Sequence, residues 1–153
     1  MPARKLKEFL DREHVPYVSI SHRETYTAQE TAEAAHLPGY ELAKTVMVEL
    51  DGQMAMIVVP ATQKVVLQDL RDITGAARVR FASEEKFKTL FPDCEIGAMP
   101  PFGNLYGLEV FVAPGLTADE EIAFNAGTHT EVIKMAYADF ERLVQPKVVA
   151  CTT

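Results

Sequence analysis

The stretch from Thr45 to Pro60 constrains this chain more than any other. Thr45-Val46-Met47-Val48-Glu49-Leu50 and Met54-Ala55-Met56-Ile57-Val58-Val59 flank the dipeptide Asp51-Gly52. Asp-Gly supplies the positive φ angles of a tight two-residue turn, so the two runs are predicted to pair as an antiparallel hairpin. Pro60 lacks the N–H a ladder needs and closes the second strand.

The flanking sequence sets elements around this hairpin. Arg4 to His14 reads as an amphipathic helix with Leu6, Phe9 and Leu10 on one face, ended by Pro16. Tyr17 to Ser21 alternates as a strand. Thr27-Ala28-Gln29-Glu30 has the form of a capping box, opening a short helix that reaches about His36 and stops at Leu37-Pro38-Gly39. Val65 to Ile73 is predicted helical and ended by Gly75, with a strand from Ala77 to Phe81. Ser83 followed by Glu84 and Glu85 caps a helix running to Leu90. Phe91 to Gly107, rich in Pro and Gly, is a structured loop. Leu108 to Val112 is a strand, and Pro114-Gly115 a turn. Ile122 to Phe124 and Glu131 to Met135 are strands, Ala138 to Val144 is a closing helix, and residues 145–153 form a tail. The expected architecture is α+β or mixed α/β: one domain over residues 1–144, with a largely antiparallel sheet flanked by helices.

A chain of 153 residues suits one domain with a real core. No apolar run approaches the roughly 18–20 residues that span a bilayer. The alternating charges of residues 1–13 are unlike a signal peptide. Cys94 and Cys151 are too few for a disulfide framework and have no metal-ligand spacing, so a reduced, cytoplasmic protein is expected. The net charge of −7, from 15 Lys+Arg against 22 Asp+Glu, argues against a protein that coats nucleic acid. It leaves room for one that meets a nucleic acid at a single end.

Three segments could carry chemistry. Lys44 stands where a loop enters the hairpin strand; it reads either as a solvated edge lysine or as a cation offered to a phosphate or ester oxygen. Gly97-Ala98-Met99-Pro100-Pro101-Phe102-Gly103 is either a stiff connector or a rigid loop presenting backbone N–H groups to an oxyanion. In Phe124-Asn125-Ala126-Gly127-Thr128-His129-Thr130, His129 is a base, a donor or a turn histidine. His14, His22 and His36 lie near helix ends or in a loop, without spaced partners, and read as structural. No HExxH, CxxC, GxSxG or P-loop pattern occurs.

Taken together, the order of these segments resembles the YbaK/ProX family of aminoacyl-tRNA deacylases, also found as an insertion domain in bacterial prolyl-tRNA synthetases. The resemblance is carried by Tyr26 to Ala32, Lys44-Thr45, Val58-Val59-Pro60-Ala61, Gly97 to Gly103 and Phe124 to Ile133. It implies a mixed α/β domain around a curved sheet that hydrolyses the ester of a mischarged tRNA without metal or cofactor. Lys44 corresponds to the family's essential lysine and Gly97 to its loop glycine. Thr45, Ala98, Met99, Pro101, Asn125 and His129 are implied in substrate binding. Relatives acting on alanyl-tRNA carry Phe-His-Pro where this chain has Phe124-Asn125-Ala126, so the edited residue is left open among Ala, Cys, Ser, Thr and Pro.

The implied chemistry is economical. An aminoacyl ester is already activated, so the protein has to position it, stabilise a tetrahedral oxyanion and admit water. The expected partner is the acceptor end of a mischarged tRNA, delivered by a synthetase or an elongation factor. The rival expectations are a non-catalytic module that binds an amino acid or a tRNA end, and an esterase of small molecules.

Overall fold

The computed structural model describes residues 4–153. Helix α1 (Arg4–Arg12) turns Leu6 and Leu10, one helical turn apart, into the core, and ends with His14 in the left-handed region at φ 57°. After strand β1 (Tyr17–Ser21), helix α2 (Ala28–Ala34) starts at Thr27, the N-cap expected from the sequence. The Thr27 hydroxyl accepts the Glu30 N–H at 3.1 Å and donates to the Glu30 carboxylate at 3.0 Å. His36, also at φ 57°, follows the end of this helix, so two of the histidines read as structural serve as left-handed stops.

Strands β2 (Leu42–Leu50) and β3 (Gln53–Pro60) form the predicted hairpin in the register Leu50↔Gln53. Asp51 at φ 51° and Gly52 at φ 84° make the turn in the left-handed conformations that Asp-Gly favours. Helix α3 (Leu67–Thr74) runs back toward the turn and is stopped by left-handed Gly75, whose N–H reaches the Arg71 carbonyl. Strand β4 (Val79–Phe81) then pairs with the second half of β2.

The Ser83 helix is shorter than expected. Helix α4 spans Glu84–Phe87 and tightens into a 3₁₀ turn at Lys88–Leu90, and the Ser83 side chain makes no capping bond. The Phe91–Gly107 loop contains one further 3₁₀ turn, Gly103–Tyr106. Strand β5 (Glu109–Val112) follows, and Pro114, expected in a plain turn, opens the one-turn helix α5 (Pro114–Thr117). Strands β6 (Glu121–Asn125) and β7 (Glu131–Ala136) precede helix α6 (Tyr137–Val144). The C-terminal residues, read as a tail, are packed instead. Strand β8 (Lys147–Val148) pairs with β5, Val65 bridges to Thr152, and Val149 and Cys151 are buried. Two exposed strand residues carry little sequence signal, because the pairing that orders them comes from a strand far back in the chain.

The strand order is β1-β7-β6-β2-β3-β5-β8, with β4 beside β2. The sheet is mixed: β2/β6, β3/β5 and β5/β8 are parallel, and the other pairs are antiparallel. Alternation along β2 and β3 divides the core in two. One face packs Met47, Met56, Val58, Phe124 and Ile133 against Leu6, Leu10, Phe102 and Phe140. The other carries Val48, Ile57 and Val59 with Leu70 of α3, and Leu42, Ala123 and Val132 with Ala32 of α2. Each large side chain so buried contributes roughly 1.5–3 kcal/mol. The site lies on this second face.

Candidate active site

Lys44 follows Leu42 on the second face, opposite Val59 of β3. It is half-buried, and among the described residues it makes no ion pair. Burial lowers its pKa from the usual lysine range, and the nearby Lys64 pushes the same way. An ammonium that is desolvated, unpaired and near a second cation is poised to meet an anion or a developing oxyanion.

Strand β6 brings Asn125 to the same neighbourhood. Leu42↔Ala123 and Ala43↔Phe124 are paired, and Lys44 and Asn125 are the next residue on each parallel strand. Both lie on the face of Leu42 and Ala123, by alternation. The Asn125 Oδ1 is buried and has no hydrogen-bond partner. A buried amide oxygen left unpaired is costly, which makes it a candidate for a substrate donor.

The glycine loop is tied to the turn between β6 and β7. Glu95 N–H reaches the Gly127 carbonyl at 2.8 Å, and Gly127 N–H reaches the Ala98 carbonyl at 2.9 Å. The Glu95 carboxylate accepts the His129 N–H at 3.1 Å, and His129 Nε2 donates to the Ile96 carbonyl at 2.8 Å. Gly97 has φ 87°, a conformation that other residues rarely adopt. Its N–H contacts only a soft acceptor, Met99 Sδ at 3.3 Å, and is readily exchanged for an oxygen. Tyr26, exposed at the entry to α2, covers the His129 ring with centroids 4.9 Å apart.

Several residues singled out from the sequence have other places. Thr45 falls on the opposite sheet face from Lys44, with Met47 and Val58, because neighbours in a strand point to opposite sides. Ala98, Met99 and Pro101 are buried, so their side chains brace the loop from within. His129 is also buried, and the Ile96 bond places its proton on Nε2. Tyr26 and Glu95 escaped the sequence reading as site residues. Tyr26 had a signal, since it directly precedes the capping box.

Cys94 is a poor nucleophile here. Burial pushes its thiol pKa up to about 11, despite a contact with the Tyr106 hydroxyl that acts the other way. Among the described residues no group of three or more His, Cys, Asp or Glu could hold a metal ion. No described helix is long and apolar enough to cross a membrane.

Known proteins share this fold. The chain superposes on the structure of hypothetical protein APE2540 with a TM-score of 0.87 at 16% identity, over 98% of this chain and 100% of that one. It superposes on a candidate trans-editing enzyme for prolyl-tRNA synthetase with a TM-score of 0.84 at 20% identity, covering 99% and 96%. In sequence it is 26% identical over 151 residues to the multifunctional Ser/Thr-tRNA deacylase ProXp-y of Escherichia coli K12, covering 95% of this chain and 90% of that protein. It is 25% identical over 142 residues to the prolyl-tRNA editing protein ProX of Acetoanaerobium sticklandii, covering 89% and 86%. The aminoacyl-tRNA editing domain model matches residues 22–143, well over half of the sequence. With its mixed sheet, its desolvated lysine and its stapled glycine loop, the chain belongs to the aminoacyl-tRNA editing domain family.

Proposed function

We propose that this editing-domain protein hydrolyses the ester of a mischarged tRNA in trans at a centre made of Lys44, the Gly97 peptide and Asn125. The observation that carries the proposal is Lys44: half-buried, without an ion pair among the described residues, and lowered in pKa by desolvation. Its ammonium holds the tetrahedral oxyanion, or the terminal phosphate, as a compact point charge. The Gly97 N–H exchanges its thioether contact for a substrate oxygen. Water attacks the ester carbonyl, the bond from the carbonyl carbon to the ribose oxygen breaks, and the departing ribose oxygen takes up the proton that the water gives, leaving the free amino acid and a ribose hydroxyl. No covalent enzyme intermediate is required, in keeping with the raised pKa of Cys94.

The substrate amino acid in this proposal carries a side-chain hydroxyl, as serine and threonine do. The unpaired Asn125 Oδ1 supplies the acceptor for that hydroxyl, and one relative is named a Ser/Thr-tRNA deacylase. A site built to hydrogen-bond a hydroxyl discriminates far more strongly than one that measures size alone. The charged tRNA comes from a synthetase or an elongation factor in the cytoplasm.

A panel of seryl-, threonyl-, alanyl-, cysteinyl- and prolyl-tRNA, run beside simple aminoacyl esters, tests the proposal. Release of serine and threonine from tRNA alone is the expected result. Release from small esters too points to a general esterase, and binding without release points to a recognition module.

A further inference from the structure

The turn end of the β2–β3 hairpin carries a feature that ester hydrolysis does not use. A concavity of about 460 Å³ opens there, lined in part by Glu49, Asp51, Arg71, Arg78 and Arg80. Both acids already have partners. Glu49, 5% exposed, receives Arg80 Nε at 2.9 Å and Lys86 Nζ at 3.0 Å. The Asp51 carboxylate accepts the backbone N–H of Arg78 at 2.8 Å and of Ala77 at 3.2 Å. Arg71 and Arg78 are exposed and make no ion pair among the described residues. Asp72, one residue beyond Arg71 on α3, is held by the Gln68 amide at 2.9 Å. In a chain of net charge −7, three arginines converge on one hollow.

The placement of this hollow matters. It lies seven residues along β2 from Lys44, about 23 Å at the usual strand rise. Helix α3 connects the two ends: Lys64, close enough to act on Lys44, precedes it, and Arg71 lies in its last turn. Cations therefore mark both ends of α3 and continue into β4. Guanidinium forks match phosphate oxygens, and phosphates repeated along a backbone suit a second contact at such a distance.

We infer that Arg71 and Arg78, with Arg80 beside them, form a phosphate site for the base-paired stem of the same RNA whose 3′-terminal ester lies at Lys44. This rests on the proposed function of the Lys44 centre. It gives an acidic protein a second foothold without a basic face, and so predicts a modest salt dependence.

The test compares two substrates carrying the same amino acid: a full charged tRNA, and a short single-stranded oligonucleotide ending in the same 3′ ester. In Arg71→Gln/Arg78→Gln, kcat/KM on the tRNA should fall at least tenfold, mainly through KM, while the oligonucleotide is hydrolysed as by the unsubstituted protein. The log–log salt slope on tRNA should become shallower by roughly 0.9 for each lost duplex phosphate contact. Arg71→Lys/Arg78→Lys, which keeps charge but loses the fork, should recover part of the loss. Equal losses on both substrates, or no loss on tRNA, overturn the inference. Failure of the unsubstituted protein to hydrolyse either substrate instead overturns the function proposed for Lys44. The affinity of uncharged tRNA across the same salt series then decides the arginine site by itself: an unchanged slope in the glutamine variant sinks it.

Discussion

His129 donates from Nε2 to the carbonyl of Ile96 at 2.8 Å, and so clamps the peptide that leads into Gly97. With Nε2 committed to this bond, the histidine serves as a positioning residue for the loop. His129→Ala should lower kcat on the order of 10²-fold, because a displacement of about 1 Å at a reacting group costs that much. His129→Gln, able to donate from nearly the same place, should recover part of it. Equal activity of the alanine and unsubstituted proteins in single-turnover hydrolysis would remove the clamp from the mechanism.

Lys44→Met should lose roughly 10²–10³ in turnover, the usual cost of one oxyanion contact. Lys44→Arg should fail similarly, since a planar fork does not fit where a compact ammonium sits. Stability should move the other way. With the folded-state pKa lowered, the unfolded chain holds this proton more tightly, so stability rises as pH increases from the lowered value toward the ordinary 10.5. Lys44→Met carries no desolvated charge, so it is free of the cost the lysine bears at neutral pH and should be at least as stable there. Urea midpoints for both proteins at neutral and alkaline pH check this; a clear loss of stability in the methionine variant contradicts it.

Gly97→Ala acts through the backbone. The added Cβ would meet His129 Cε1 at 3.5 Å, an ordinary contact, whereas φ 87° strains any residue with a side chain. About 1–2 kcal/mol is the usual cost of such a conformation. The melting temperature should fall by roughly 2–4 °C per kcal/mol in a domain of this size. Activity should fall much further as the N–H donor shifts. A variant with normal kinetics and a lowered melt would make the loop a connector only.

Asn125→Ala should leave stability within about 1 kcal/mol, because the amide oxygen it removes has no partner in the folded chain. Selectivity should change instead: the preference for hydroxylated over purely apolar aminoacyl groups should drop by more than tenfold. Competition assays with seryl- and alanyl-tRNA read this ratio directly. An unchanged ratio would place the amino-acid pocket elsewhere.

Much of the local structure was legible because it depends on neighbours in the chain. Asp51-Gly52 specified its turn, Thr27 its N-cap, and Gly75 its helix stop, each through bonds spanning a few residues. Lys44 and Gly97 stood out by their resemblance to a family pattern, while nothing local separated them from an edge lysine and a stiff loop. Other features depended on pairings between distant segments. The parallel β2/β6 ladder sets Asn125 beside Lys44, strand alternation turns Thr45 away, and hydrogen bonds from the 125–130 turn hold the Gly97 loop. The ordering of the last residues against β5, and the gathering of Arg71, Arg78 and Arg80 at one end, likewise came from packing. By itself the sequence determined which short segments could be helices, strands and turns, because backbone dihedrals answer to local chemistry. Only the tertiary structure decided which side chains share a face, are desolvated, or lack a partner, because burial and register are properties of segments brought together across the fold.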